Sequence, residues 1–265
     1  MIRKFLSSVA VALGLLACGT AFADEREDKA ITTSLEVIGR TMPDLSFQGV
    51  DGKTLSLTQL RGKPVLLTLI YTGCADVCPA VIESLAPAVA VGEDALGKGS
   101  FNVVTIGFDT RNDTPVRMRS FARDHNAGGD NWFFLASDQK TMDRLSEAVG
   151  FSYFSYAGGF DHMAQVTVID KTGKIYRQVY GSSFDPPQIV DPLKDLIFGR
   201  EKPFFTFEGL ADRVKLFCTV YNPNTGRYYF NYSLFASIVI GAASLGLVLV
   251  VLIRETRKSM RSHEA

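Results

Sequence analysis

The chain has 265 residues, 46% of them hydrophobic, with 28 basic and 28 acidic side chains and a formal net charge of zero. That length suits one globular domain of ordinary size plus additional segments. The neutral balance lacks the basic footprint of a nucleic-acid binder.

At the N-terminus, Met1-Ile2-Arg3-Lys4 leads into an apolar run from Phe5 to Cys18, then Ala21-Phe22-Ala23 before Asp24. A basic start, a short apolar core and an A-x-A site predict a cleavable signal peptide over 1–23. Two alternatives stay open. Leu15-Leu16-Ala17-Cys18 weakly resembles a lipoprotein cleavage site that would leave Cys18 lipidated, and the 19 uncharged residues from Phe5 to Ala23 could remain uncut as a weak anchor. Residues 24–40 read as a leader segment.

From Met42 the pattern changes. Asp44-Leu45-Ser46-Phe47 and Thr54-Leu55-Ser56-Leu57 flank an Asp51-Gly52 turn, which predicts a hairpin. Lys63 to Tyr71 is a near-continuous apolar strand, of the kind buried on both faces of an α/β sheet. A helix is expected from Pro79, with Val81, Ile82, Leu85 and Val89 at helical spacing and Pro87 inside it. Phe101–Phe108 predicts a second buried strand, a capped helix starts near Asp113-Thr114-Pro115, and Trp132–Leu135 is a third apolar run. Ser137-Asp138 opens another helix. Phe151–Phe160 reads as an aromatic, glycine-containing loop, Gln165–Asp170 and Lys174–Tyr180 as a second hairpin, and Asp191–Phe198 as a last helix. The alternation predicts a mixed α/β sheet flanked by helices.

Beyond about 200 lies an extension, 201–232, in which Lys215–Tyr221 and Arg227–Phe230 look like strands and the aromatics could sit at a membrane interface. Ser233–Ile253 is uncharged for 21 residues, a helix of about 32 Å at ~1.5 Å per residue, long enough for a bilayer. Arg254, Arg257, Lys258 and Arg261 follow it, so the expectation is a transmembrane helix over 233–253 with a cytoplasmic tail at 254–265. With an exported body, this places the protein in a bacterial inner membrane as a single-pass protein, its soluble domain periplasmic.

The most informative segment is Tyr71-Thr72-Gly73-Cys74-Ala75-Asp76-Val77-Cys78-Pro79, at a strand-to-helix junction. Two thiols at i and i+4 share one face of a helical turn. A helix start stabilises thiolate there. Such a pair either binds a soft metal or cycles between dithiol and disulfide. In an oxidising compartment Cys74 and Cys78 would pair unless a metal or reductase prevents it, leaving Cys218 odd. Histidines are scarce. His263 lies in the tail, and His125 reads as a solvated loop histidine. His162 follows Asp161, which could orient its ring. With the cysteines it completes a soft donor set of two sulfurs and one nitrogen, suited to copper.

These pieces, together with F-D-T-R-N-D-T-P at 108–115, W-F-F-L at 132–135 and V-T-V-I-D-K-T-G at 166–173, resemble the SCO/SenC family of copper-binding thioredoxin-like proteins that help assemble cytochrome c oxidase. The resemblance covers 41–200. It implies a thioredoxin-like fold with an added β-hairpin, and Cys74, Cys78 and His162 as ligands of one copper per chain. Asp109 and Asp113 would shape the loop and helix start without binding metal. Ala75 stands where many members have proline, and Met163, where a small polar residue is usual, is expected to pack and not to ligate. Most members are anchored at the N-terminus, whereas this chain's expected anchor is C-terminal.

The implied function is a metallochaperone, more a carrier than an enzyme, that delivers copper to the binuclear copper centre of the oxidase. Its partners would be the oxidase's copper-bearing subunit, a copper donor or thiol reductase, and the membrane. The alternative is a thiol-disulfide oxidoreductase acting on the oxidase cysteines through Cys74 and Cys78. C-x3-C, one residue longer than C-x2-C, argues mildly against a dedicated reductase.

Overall fold

The computed structural model describes residues 26, 28–199, 219–223, 225–233, 235–246 and 249. The expected signal 1–23, Cys18, Cys218, His263 and the tail 254–265 all lie outside the described residues. The chain divides into two units, Met1–Arg200 and Glu201–Ala265.

In the first unit, helical residues 28–36 (α1) precede a hairpin of β1 (Ser46–Gly49) and β2 (Thr54–Ser56), in which Ser46 faces Ser56. The expected Asp-Gly turn closes it, with the Asp51 carboxylate accepting from the Lys53 N–H at 3.1 Å. Strands and helices then alternate: β3 (Val65–Ile70), α2 (Val77–Leu96), β4 (Asn102–Gly107), α3 (Pro115–Asp124), β5 (Trp132–Ala136) and α4 (Gln139–Val149). The unit finishes with β6 (Tyr153–Tyr156), β7 (Gly159–His162), β8 (Gln165–Ile169), β9 (Ile175–Tyr180) and α5 (Pro186–Phe198).

Seven strands form one sheet in the order β2-β1-β5-β4-β3-β8-β9, while β6 and β7 make a separate hairpin. Strands β3, β4 and β5 run parallel, and the outer pairs are antiparallel. This is a thioredoxin-like α/β arrangement. Every residue of β3, β4 and β8 is buried, which is why these strands read as unbroken apolar runs. Among their polar residues, Thr105 Oγ1 accepts from the Trp132 indole N–H at 2.9 Å, whereas the buried Gln165 Oε1 has no hydrogen-bond partner among the described residues. Helices α2 and α5 pack closely, since a Cβ on Gly92 would lie 3.2 Å from Phe101 and 3.5 Å from Val190. Helix α1 clamps the end of α4, where Gly150 takes φ 64° and a Cβ would come within 2.6 Å of the Ser34 Cα.

The parallel register fixes the site. Ile70 pairs with Gly107, so the C-terminal ends of β3 and β4 deliver Tyr71–Cys74 and Phe108–Asp113 to the same edge of the sheet. Ligand sites in such sheets gather at the carboxyl ends of the strands.

Several sequence expectations need correction. Helix α5 starts at Pro186, not Asp191: the Asp185 N–H donates to the Gln188 side chain at 2.8 Å across Pro186 and Pro187, which suit a first turn, and Pro192 therefore sits inside the helix. Helix α2 begins at Val77, so Pro79 lies within its first turn. The aromatic loop after Phe151 is the β6–β7 hairpin, its antiparallel register pairing Tyr153 with His162.

In the second unit, β10 (Thr219–Asn222) and β11 (Arg227–Phe230) pair antiparallel, Thr219 opposite Phe230. Residues 215–218 of the expected first strand fall outside the described residues. The expected transmembrane helix is not borne out: among the described residues no helix is long and apolar enough to cross a membrane. The described part of the expected span includes Ser237, Gly241, Ala242, Ala243, Ser244 and Gly246, and residues 234, 247, 248 and 250–253 lie outside the described residues. The single-pass inner-membrane placement, with a periplasmic domain and cytoplasmic tail, rested on that helix and falls with it.

Candidate metal centre

Cys74 lies in the loop between β3 and α2, and its own N–H donates to the Tyr71 carbonyl at 3.1 Å. Cys78 occupies the second position of α2 and is 1% exposed. Its backbone N–H donates to Cys74 Sγ at 3.3 Å, which ties the two sulfur-bearing residues together. Both cysteines are free thiols, Cys74 half-buried and Cys78 buried.

His162, the last residue of β7, reaches this pair from across the sheet edge. Its Nε2 lies 3.7 Å from Cys78 Sγ, and its Nδ1 lies 3.4 Å from the Met163 carbonyl. A carbonyl only accepts, so the ring proton belongs on Nδ1, leaving the Nε2 lone pair facing the thiol. Burial lowers the His162 pKa below its ordinary value, against the Met163 carbonyl and the Asp161 charge, which raise it. The ring is therefore a neutral donor at neutral pH. Asp161, expected to orient the ring, is exposed and acts through its charge; the Met163 backbone takes the orienting role.

Around His162 stands a shell of rings that the sequence reading did not assemble. Phe108 is 1% exposed, with centroids 5.0 Å from His162, 5.1 Å from Tyr153, and 5.3 Å from Tyr71, Phe151 and Phe160. Gly159 permits this closeness, since a Cβ there would lie 2.7 Å from the Tyr71 hydroxyl. The one signal available in sequence was the Gly158-Gly159 pair, a turn signal between the aromatic residues 153–156 and 160.

The two thiols are electrostatically unlike. Burial pushes Cys74 up, but hydrogen bonds from the backbone N–H groups of Cys78 and Asp76, and then from the Cys78 thiol and the Tyr71 hydroxyl, outweigh it and hold its pKa below the ordinary value. Cys78 is pushed well above its ordinary value, chiefly by burial, with the Cys74 and Asp113 charges adding to it. The helix-start argument therefore holds for Cys74 and fails for Cys78, whose desolvation wins. A direct consequence is selective alkylation. Iodoacetamide at pH 7 is expected to label Cys74 at least about tenfold faster than Cys78, read by peptide mass spectrometry.

Asp113 anchors the cysteine loop from the loop that follows the neighbouring strand, β4. Only 2% exposed, it accepts from the Thr72 N–H at 2.8 Å, the Thr72 hydroxyl at 2.7 Å and the Asp109 N–H at 2.9 Å. Burial raises its pKa above the model-compound value of 3.8 despite these bonds. Asp109 takes the Asn112 amide at 2.7 Å. Both acidic residues shape the loop, as expected. His125 is not the solvated residue its sequence suggested: its side chain is 19% exposed, tilted against Phe121 with centroids 4.4 Å apart, and bonded through Nδ1 to Glu83 at 3.0 Å.

Among the described residues no group of three or more His, Cys, Asp or Glu side chains is already drawn in to metal-holding distance. The donor chemistry nonetheless fits a soft ion. Donors 3.7 Å apart suit one metal at about 2.0–2.3 Å from each.

A thioredoxin-like sheet carrying a C-x3-C pair and a facing histidine defines the class. The SCO1/SenC family model matches residues 39–197, and the chain belongs to that family. It is 33% identical over 92 residues to the SCO1 protein homolog of Bacillus subtilis, covering 34% of this chain and 46% of that protein. The match thus spans about half the relative's length. It is also 28% identical over 159 residues to the chloroplastic peroxiredoxin Q of Populus jackii, covering 60% of this chain and 67% of that protein. Among solved structures, Arabidopsis thaliana ScoI with copper bound is 20% identical with a TM-score of 0.50, covering 57% of this chain and 94% of the other.

Proposed function

We propose that this chain carries one copper ion between Cys74, Cys78 and His162 and delivers it to the binuclear copper centre of cytochrome c oxidase. The observation that carries this reading is the approach of the His162 Nε2 lone pair to Cys78 Sγ at 3.7 Å, with Cys74 Sγ held by the Cys78 amide. Two sulfurs and a neutral imidazole suit copper as cargo. The aromatic shell excludes water and holds the ring, while exposure of the Cys74 side gives an acceptor thiol a route to the metal. Membership of the SCO1/SenC family and the copper-bound ScoI relative support the same cargo.

The test is an anaerobic Cu(I) titration of the full chain beside His162→Ala. One tightly bound copper per chain is expected, weakened at least about tenfold in the variant. Unchanged affinity would remove His162 as a ligand.

A second reading has its own support. One accessible, low-pKa thiol beside one buried thiol is the asymmetry of a dithiol that attacks with the first sulfur and resolves with the second. In that reading the chain reduces cysteines of the oxidase copper site, and both roles use the same sulfurs.

A further inference from the structure

Cys74 has a second side that the metal-centre reading does not use. A cleft of about 210 Å³ reaches it from α3, lined by Arg117, Ser120, Asp124 and His125; Cys78 and His162 take no part in it. Arg117 and Asp124 stand two turns apart on α3 with Ser120 between them, so all three share one face. Arg117 is exposed and makes no ion pair among the described residues. Among the described residues the Asp124 carboxylate bonds only its neighbour, Arg123 Nε, at 3.2 Å. Glu83 fixes His125 through Nδ1 at 3.0 Å, which leaves Nε2 as its remaining polar atom. The cleft therefore offers a cation for a carboxylate, an anion for an ammonium, a hydroxyl, and a sulfur at its end.

We propose that this cleft recognises a low-molecular-weight disulfide bearing a zwitterionic α-amino-acid group, which the Cys74/Cys78 pair reduces. The proposal rests on the thiol-exchange reading above and names the substrate class for it. Arg117 takes the carboxylate by a charge-assisted hydrogen bond, Asp124 takes the ammonium, and the disulfide is presented to Cys74. The Cys74 thiolate attacks one sulfur; the substrate S–S bond breaks and a small thiolate leaves. Cys78, passing its proton to that thiolate, then attacks Cys74 Sγ. The mixed disulfide breaks, the second small thiolate leaves and takes a proton from water, and a Cys74–Cys78 disulfide remains. Two protein thiols are oxidised and one disulfide becomes two thiols.

The test uses three disulfides that carry different charged groups, each rate being divided by that disulfide's rate with free β-mercaptoethanol to remove differences in leaving-group pKa. The reduced full chain is mixed under stopped flow with cystine, with cystamine (no carboxylates) and with 3,3′-dithiodipropionate (no ammonium groups). Protein thiol loss is followed by quench and mass spectrometry. Cystine is expected to react about tenfold faster than either analogue, the scale of one lost charge-assisted contact at an exposed site. Arg117→Ala should collapse the cystine-to-cystamine ratio towards one, with Arg117→Lys restoring part of it. Asp124→Ala should collapse the cystine-to-dithiodipropionate ratio. Equal rates for all three disulfides, or ratios unmoved by both variants, would overturn the cleft as a recognition site while leaving exchange intact. No reaction with any of them would sink the exchange reading itself, and the copper titration would stand apart from both results.

Discussion

Replacing Phe108 by alanine is expected to destabilise the first unit by about 4 kcal/mol, within the range for emptying a buried phenylalanine site. Domains are stable by only about 5–15 kcal/mol, so the loss would take a large share of the total. Phe108 is 1% exposed at the end of β4 and touches five other rings, including His162 at 5.0 Å. Edge-on and tilted ring pairs of this kind each add roughly 0.5–1.5 kcal/mol beyond burial. The same deletion lets water reach His162. Since burial is the main cause of that residue's lowered pKa, the pKa should rise back towards 6.5. The milder Phe108→Leu variant, which stays folded, allows this to be read by an NMR pH titration of His162, while Phe108→Ala is followed by urea unfolding. A lowered histidine pKa contributes stability that is present above the unfolded value and lost as pH falls. The leucine variant should therefore show a weaker acid-side stability loss around and below pH 6.5 than the parent.

Asp113→Ala should cost about 3 kcal/mol. It strands the half-buried Thr72 and Asp109 amides and the Thr72 hydroxyl, which now end on one carboxylate at 2.7–2.9 Å. Part of the loss is offset because burial already penalises the ionised form, as the raised pKa records. The sign of the pH effect follows from that shift. A carboxyl raised above 3.8 contributes stability that is complete below that value and declines as pH rises through the folded-state pKa. The alanine variant should lack this decline, and its deficit against the parent should be largest at low pH. Asp113→Asn keeps an acceptor for Thr72 but turns an N–H towards the Asp109 N–H, so an intermediate loss is expected. Urea midpoints from pH 4 to 7 check all three proteins. Cu(I) affinity should fall in parallel, because Thr72 stands two residues before Cys74 and its tether is gone.

Local signals were strong where burial was uniform. The runs at 65–70 and 102–107 are buried throughout and therefore legible as strands, and the caps at Thr114 and Asp138 marked their helices because each side chain does accept a backbone N–H. The β6–β7 hairpin was not legible, since its exposed Phe154 and Tyr156 beside paired glycines carry no clean buried alternation. Cys74, Cys78 and His162 could be singled out by residue type and spacing. The register that pairs Ile70 with Gly107, and so brings Asp113 under Thr72, is a tertiary fact. The opposite pKa shifts of the two thiols were likewise hidden, because they depend on which cysteine the first turn of α2 buries. At the C-terminus the uncharged run 233–253 was read as a span, and no helix among the described residues is long and apolar enough to cross a membrane.

Cys78 and His162 touch across 84 positions of sequence. A metal held by both would tie the chain into a loop of that length, and closing such a loop removes about 4.5 kcal/mol of chain entropy from the unfolded state in the polymer description. The cargo would then also be a removable staple. A loaded chain would resist unfolding and proteolysis, and handing over the ion would slacken the fold at the moment of transfer, making the emptied carrier the shorter-lived form.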